Sequence, residues 1–362
     1  MSRYSHDNRY SCTGSKCRGV TLIELMVALT IGLIIIGAIA SIFLASRQSF
    51  RVQEVMSRMQ ENARFAFEAM DRDIRMVGFS GYVACTSSEC NDVTNTSATW
   101  WSKKLLTQPL RGYEDSLPAD MTAGDRLRGD SFSVIRADKA TEMTVSNHVP
   151  PTITVSAAHT FSAGDILVIS GTTNTAIFQA SAVTSTTITH GKTGISPANC
   201  TTELGVIPAP VNCANPGSAI TFAANSGVFE LSANTYYIRT NAAGEPALYR
   251  ERLRSEIVGG TPTAKTIAEE LIDGVENMQV TYGVDTTVPA DQNIDSYVTA
   301  NNVADWSRVL GLRISLLMVS RQDEKGITSQ AQTYTYNGAS ATAADNLLRK
   351  VFTTTIAIRN RL

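Results

Sequence analysis

Hydrophobic and polar positions divide the chain into three stretches. From Leu25 to Ser46 none of the 22 residues is charged. A helix rising about 1.5 Å per residue would cover roughly 33 Å there, enough for a hydrocarbon core of roughly 30 Å. The pattern then becomes one-sided. Val52, Val55, Met56, Met59, Ala63, Ala66, Phe67, Met70, Ile74 and Val77 recur at spacings of three, four and seven, one face of a 3.6-residue helix. On the other face Glu54 and Arg58, Glu68 and Arg72, and Asp71 and Arg75 stand four apart with the acid first, the supportive order. Asp71 and Asp73, offset by Arg72 and Arg75, read as a solvated face. No breaker separates the halves, and Gly78 can take the left-handed conformation that closes a helix. One helix is predicted from about Thr21 to Val77, roughly 85 Å long, apolar all round at first and amphipathic afterwards.

Beyond Gly81 the chain is rich in Thr, Ser, Ala, Gly and Asn, and β-type runs appear between turn signals. Ser131–Arg136, Thr152–Ser156 and Asp165–Ser170 are three such runs. Tyr236–Arg239, the turn Asn241-Ala-Ala-Gly244, and Ala247–Arg250 predict a hairpin. Met278–Val284, Arg308–Ser320 and Lys350–Arg359 are the strongest late strands. One long helix followed by antiparallel strands is an α+β arrangement.

Charge orients the N-terminal part. Arg3, Arg9, Lys16 and Arg18 against the single acid Asp7 place residues 1–19 in the cytoplasm and everything after Ser46 outside. Glu24 breaks the apolar register, at a cost of roughly 2.5 to 3.5 kcal/mol if it stood at a helix centre and less near the interface. Either it snorkels to the headgroups or something compensates it.

The run Gly19-Val20-Thr21-Leu22-Ile23-Glu24-Leu25, a basic leader ending in Gly before a hydrophobic helix with Glu at its fifth position, resembles the type IV prepilin signature. The resemblance implies cleavage between Gly19 and Val20 by a prepilin peptidase, N-methylation of Val20, and a partner for Glu24 in the terminal amine of a neighbouring subunit. The chain departs from many major pilins in beginning with Val20 rather than Phe and in having no Pro before Pro109. A rival processing site exists at Ala38-Ile39-Ala40, the small-x-small form of a secretory signal.

The late segments Asp273–Asp285, Trp306–Arg321 and Val351–Asn360 are similar to those of PilW-type minor pilins. The resemblance implies a type IV pilin-like fold: a leader at 1–19, a membrane and filament-core half-helix at 20–46, an amphipathic half at 47–78, and a periplasmic β-rich head at 79–362. The likeness is loose through the middle, where residues 141–230 suggest a variable β insert on the antiparallel sheet. The implied role is a minor pilin in the priming or tip complex of a type IV pilus, serving adhesion and twitching motility. Its implied partners are the prepilin peptidase, other minor pilins, the major pilin and the inner-membrane assembly platform. The implied location is the inner membrane, single-pass, and then the pilus. Two alternatives carry the same N-terminal signature: a minor pseudopilin of a type II secretion system, and an adhesin displayed on a pilin stalk with residues 141–230 as its head.

Six cysteines are present, of which Cys12 and Cys17 lie in the leader, leaving Cys85, Cys90, Cys200 and Cys213. Four cysteines allow three connectivities. Proximity favours Cys85 with Cys90 and Cys200 with Cys213, bridges suited to an oxidising compartment. With no CxxC or adjoining His pair, the set does not suggest zinc. His148, His159 and His190 lie in no HExxH or GxSxG context, so no enzyme and no cofactor is indicated. Asp125 and Asp130, flanking residues 126–129, read as a polar turn rather than a cation site. Removing residues 1–19, with four basic residues and one acid, takes the net charge from −2 to −5. The local run Arg250, Arg252, Arg254 notwithstanding, nucleic acid is not indicated.

Overall fold

The structure, a computed structural model, describes residues 20–83, 90–95, 99–102, 104–121, 124, 129–205, 218–321, 324 and 331–361. Gly19, Cys85, Asp125 and Cys213 lie outside them. The chain divides into two compact units between Glu54 and Val55.

The first unit is helical. α1 (Leu22–Arg75) begins there, and every large apolar side chain from Val20 to Phe50 is exposed. It is the one described helix long and apolar enough to cross a membrane. The helix starts one residue after the predicted Thr21 and stops two before Val77. The last turn tightens, because the Val77 N–H bonds to the Ile74 carbonyl at 3.2 Å rather than one residue further back. Gly78 follows with φ 75°, as its lack of a Cβ permits.

In the second unit the α1 stripe Val55, Met59, Ala63, Ala66, Met70 and Ile74 is buried, at 4% exposure or less. Eleven strands form one sheet: β1 (Cys90–Asp92), β2 (Leu110–Tyr113), β3 (Ser131–Val149), β4 (Thr152–Val155), β5 (Ile166–Ser170), β6 (Thr175–Gln179), β7 (Ala182–Val183), β8 (Thr187–Thr189), β9 (Gly227–Thr240), β10 (Pro246–Val258) and β11 (Thr261–Asp273). β9 organises them. Along one edge it pairs with β3; along the other it pairs first with β5 and then with β10. All of these pairs are antiparallel, and only β1 with β6 runs parallel. Side chains alternate across this sheet, so Leu167, Ile169 and Val228 pack with Ile153 and Phe178 on one face, while Ile166, Val168 and Phe229 pack with Trp100 and Trp101 on the other.

The predicted hairpin is the β9–β10 turn. Asn241 accepts at its side-chain oxygen from the N–H groups of Ala243 and Glu245, and Gly244 has φ 81°. β10 runs on far beyond Arg250 and folds back through Gly259-Gly260 into β11, an extension that the mixed charged sequence of residues 251–270 did not signal.

The late strands form a second sheet. β12 (Val275–Val284), β13 (Ser296–Val298) and β14 (Val309–Val319) are followed by the separate hairpin of β15 (Gln332–Tyr336) and β16 (Ala339–Ala343), and then by β17 (Arg349–Ala357). The order is β13-β12-β14-β17, antiparallel throughout. Met278, Val280, Tyr282, Leu312, Ile314, Leu316 and Ile356 alternate along it and are buried. Among the described residues the architecture is α+β: one long N-terminal helix, an eleven-stranded sheet, a four-stranded sheet and the two-stranded β15–β16 hairpin.

Candidate functional site

Two places on α1 carry its chemistry. The first is its N-terminus. The Glu24 carboxylate accepts the Thr21 N–H at 3.0 Å and the Thr21 hydroxyl at 3.1 Å, while the Glu24 N–H donates back to the Thr21 hydroxyl at 3.3 Å. This is a capping box, reciprocal satisfaction of donors that the first turn of any helix leaves orphaned. The signal was present in the sequence as Thr-x-x-Glu, and attention to Glu24 alone missed Thr21's part. The compensation the apolar register demanded thus begins within the chain. One oxygen, Oε2, takes both Thr21 bonds.

Downstream the helix is apolar on every side, with Ile34 72% and Ile36 65% exposed. A helix apolar all round is buried in lipid or in protein. Arg47, whose guanidinium lies 5.6 Å over the Phe43 ring, is the first charge after the span.

The second place is the C-terminal end of α1, where the structure corrects the sequence reading. Asp73 is not on a solvated face: it is 3% exposed. Its Oδ1 accepts from Arg136 Nη2 at 2.8 Å and Nε at 3.1 Å, and its Oδ2 accepts from Asn234 Nδ2 at 2.6 Å and the Tyr236 hydroxyl at 2.7 Å. Burial alone would lower the Arg136 pKa, but Asp73 and Asp138 outweigh it and hold the guanidinium above its usual value. Burial and then Asp73 push the Tyr236 phenol well up. Asp71 does pair with Arg75, at 2.6 Å, as the four-residue spacing predicted. Arg58, expected to meet Glu54, forms its ion pair with Glu324 instead.

The remaining candidates are structural in setting. Cys90 and Cys200 are disulfide-bonded and buried. Asp130 is buried, accepting from the N–H groups of Asp115 at 3.0 Å and Val280 at 2.9 Å, which ties a loop to β12. Arg250, in the basic run of β10, bonds Glu269 across to β11 at 2.7 Å. His148 and His190, 42 positions apart, meet with Nε2 atoms 3.0 Å apart. His148 Nδ1 accepts from the Phe222 N–H, so its proton sits on Nε2 and is donated to His190. The His190 proton then falls on Nδ1, buried without a partner. Among the described residues no group of three or more His, Cys, Asp or Glu is placed to hold a metal ion. A cleft of about 930 Å³ beside Phe65 and Arg72 is lined by acids and arginines, among them the paired Asp73 and Arg136 and the paired Arg250 and Glu269.

A helix capped by Thr21 and Glu24, apolar all round over residues 25–46 and continuing into an α+β head, has the plan of a pilin-like fold. Residues 14–40 match the prokaryotic N-terminal methylation motif. Residues 235–360, from late β9 through β17, match type IV pilus-assembly protein W, so the chain carries a PilW-type domain behind a prepilin N-terminus. No curated protein and no solved structure matches it. The two matches together support a pilin related to type IV pilus assembly.

Proposed function

We propose that the protein is a minor pilin of a type IV pilus, acting in the priming or tip complex from which the filament grows. The observation that carries this reading is the presence in one chain of a methylation motif at 14–40 and a type IV pilus-assembly protein W domain at 235–360. A prepilin peptidase cuts between Gly19 and Val20, and Val20 becomes the methylated terminus. The apolar half of α1 then holds the protein in the inner membrane with its head in the periplasm, until the assembly platform extracts it into a filament. Membrane and filament serve alike as an apolar solvent for residues 25–46. Glu24 pairs with the terminal amine of a neighbour. It accepts that charge through Oε1, which makes no bond to Thr21, so capping and docking are compatible. Cys85 pairs with Cys90 and Cys200 with Cys213 in the oxidising periplasm.

The test is deletion of the gene, followed by counts of surface pili and an assay of type II secretion. Lost pili with intact secretion, restored by the intact gene, is the expected result. Lost secretion with normal pili would transfer the protein to the pseudopilins. Normal pili with lost surface attachment would make it an adhesin on a pilin stalk.

A further inference from the structure

β17 is an open edge. It pairs with β14 in unbroken register from Gly311 opposite Ala357 to Val319 opposite Arg349, and no described strand pairs with its other side. Hydrogen bonds at the two ends fix which backbone groups face outward. The Ile358 N–H donates to the Leu310 carbonyl at 2.9 Å, so in this antiparallel ladder the even-numbered residues of β17 turn their polar groups toward β14. The odd-numbered Val351, Thr353, Thr355 and Ala357 aim theirs away. At Arg349, the first of that row, the outer position is already filled. The Gln332 side chain accepts the Arg349 N–H at 2.6 Å and donates to the Arg349 carbonyl at 2.8 Å, the two bonds that a neighbouring strand would make.

Open edges invite pairing, and proteins usually blunt them with charges, proline or bulges. β11, the end strand of the other sheet, shows such devices: Pro262 near its start and exposed Lys265, Glu269 and Glu270 along it. β17 has none between Val351 and Ala357. That stretch is Val-Phe-Thr-Thr-Thr-Ile-Ala, without charge, proline or register shift, and rich in residue types that suit strands.

The surroundings select the partner. Lys350 and Arg359 are exposed at the two ends of the edge. Arg313, opposite Thr355 and also exposed, is held with its guanidinium 3.8 Å over the Tyr297 ring. The nearby acids Glu276 and Asp345 are both taken by Arg349. The edge is therefore uncharged at its centre and cationic at its ends. We propose that β17 accepts an extended segment of another polypeptide as an added strand, one that is β-branched and uncharged over about five residues and acidic at both ends. A second copy's β17 would not serve, since antiparallel pairing would bring its own Lys350 and Arg359 against like charges. The inference rests on the edge itself and not on the pilus reading.

Proline isolates the interaction. Among the described residues nothing pairs with the outward Thr353 N–H, so Thr353→Pro removes an outward donor while leaving the β14 ladder intact. The probe is a fluorescent peptide, Glu-Val-Thr-Val-Thr-Val-Glu, titrated against the full chain in detergent micelles at low salt. Saturable binding is expected, weaker by about tenfold or more with Thr353→Pro, unchanged with Thr353→Val, and weaker by about tenfold for the same peptide flanked by Lys. No binding, or equal binding to Thr353→Pro, would overturn the added strand; equal binding of the Lys-flanked peptide would overturn the choice of partner. If Thr353→Pro fails to fold, slowed hydrogen exchange at the Val351, Thr353 and Thr355 amides of the parent on adding peptide supports the proposal, and unchanged exchange refutes it.

Discussion

The Asp73 carboxylate and the Arg136 guanidinium form an ion pair with 5% and 6% of their side chains exposed, linking the last turn of α1 to β3. Asn234 and Tyr236 of β9 complete the shell on the other carboxylate oxygen. Helix end and sheet centre are thus held by four hydrogen bonds to one side chain.

Removing Asp73 leaves the buried Arg136 with Asp138 as its remaining acid and takes the acceptor away from Asn234 and Tyr236. Asp73→Ala should therefore destabilise the head by about 3–5 kcal/mol. Replacing both residues by apolar ones of similar size, Asp73→Leu with Arg136→Met, should cost much less than the sum of the single changes. Chemical denaturation of the full chain in detergent measures both. A loss below about 1 kcal/mol for Asp73→Ala, the range of an exposed pair, would show that the network is dispensable.

At the other end of α1, Thr21 and Glu24 cap the helix together, and under the proposed function Glu24 also docks a neighbour's terminus. Thr21→Ala should weaken the first turn by about 1 kcal/mol, the usual worth of a lost cap, and reduce pilus incorporation only mildly. Glu24→Ala should leave the protein in the membrane yet impair incorporation strongly, because both the cap and the docking charge are gone. Quantitative immunoblots of sheared pili and membranes distinguish them. Undiminished piliation with Glu24→Ala would end the docking role.

Processing is checked by mass. The mature protein should begin at Val20, carry a methyl group, and appear only when the prepilin peptidase is present. Gly19→Ala or a bulkier change should yield a protein retaining residues 1–19. A terminus at Ser41 would mean that Ala38-Ile39-Ala40 is the site used.

The His148–His190 pair should make stability depend on acid. Burial, and then its neighbour His148, push His190 down to about 3, while burial lowers His148 as well. Unfolded histidine takes up its proton near pH 6.5. The folded state therefore binds fewer protons below that point, and stability present above pH 6.5 is lost as pH falls toward about 3. The slope for His190 alone approaches about 1.4 kcal/mol per pH unit. Denaturation midpoints from pH 7 to 4, compared with His190→Phe, should show a shallower acid slope in the variant. Equal slopes would show that other groups govern acid sensitivity.

Much of this protein is local and was legible without coordinates. An uncharged run long enough to span a bilayer, a stripe of period 3.6, alternating strands, and the Gly19-to-Glu24 signature each depend on residues near one another in the chain. That is why the limits of α1 fell within two residues of those expected, and why Ser131, Thr152 and the Asn241–Gly244 turn were placed correctly. What the sequence could not state was which distant residues meet. Asp73 sits among charges and looks solvated; only the crossing of α1 over β3 and β9 gives it Arg136, 63 positions away, and Tyr236, 163 positions away. His148 finds His190, and Arg349 finds Glu276, for the same reason. Burial and pairing are properties of packing, and packing is settled by the whole chain at once, whereas periodicity and charge order are settled within a few turns of helix or one strand.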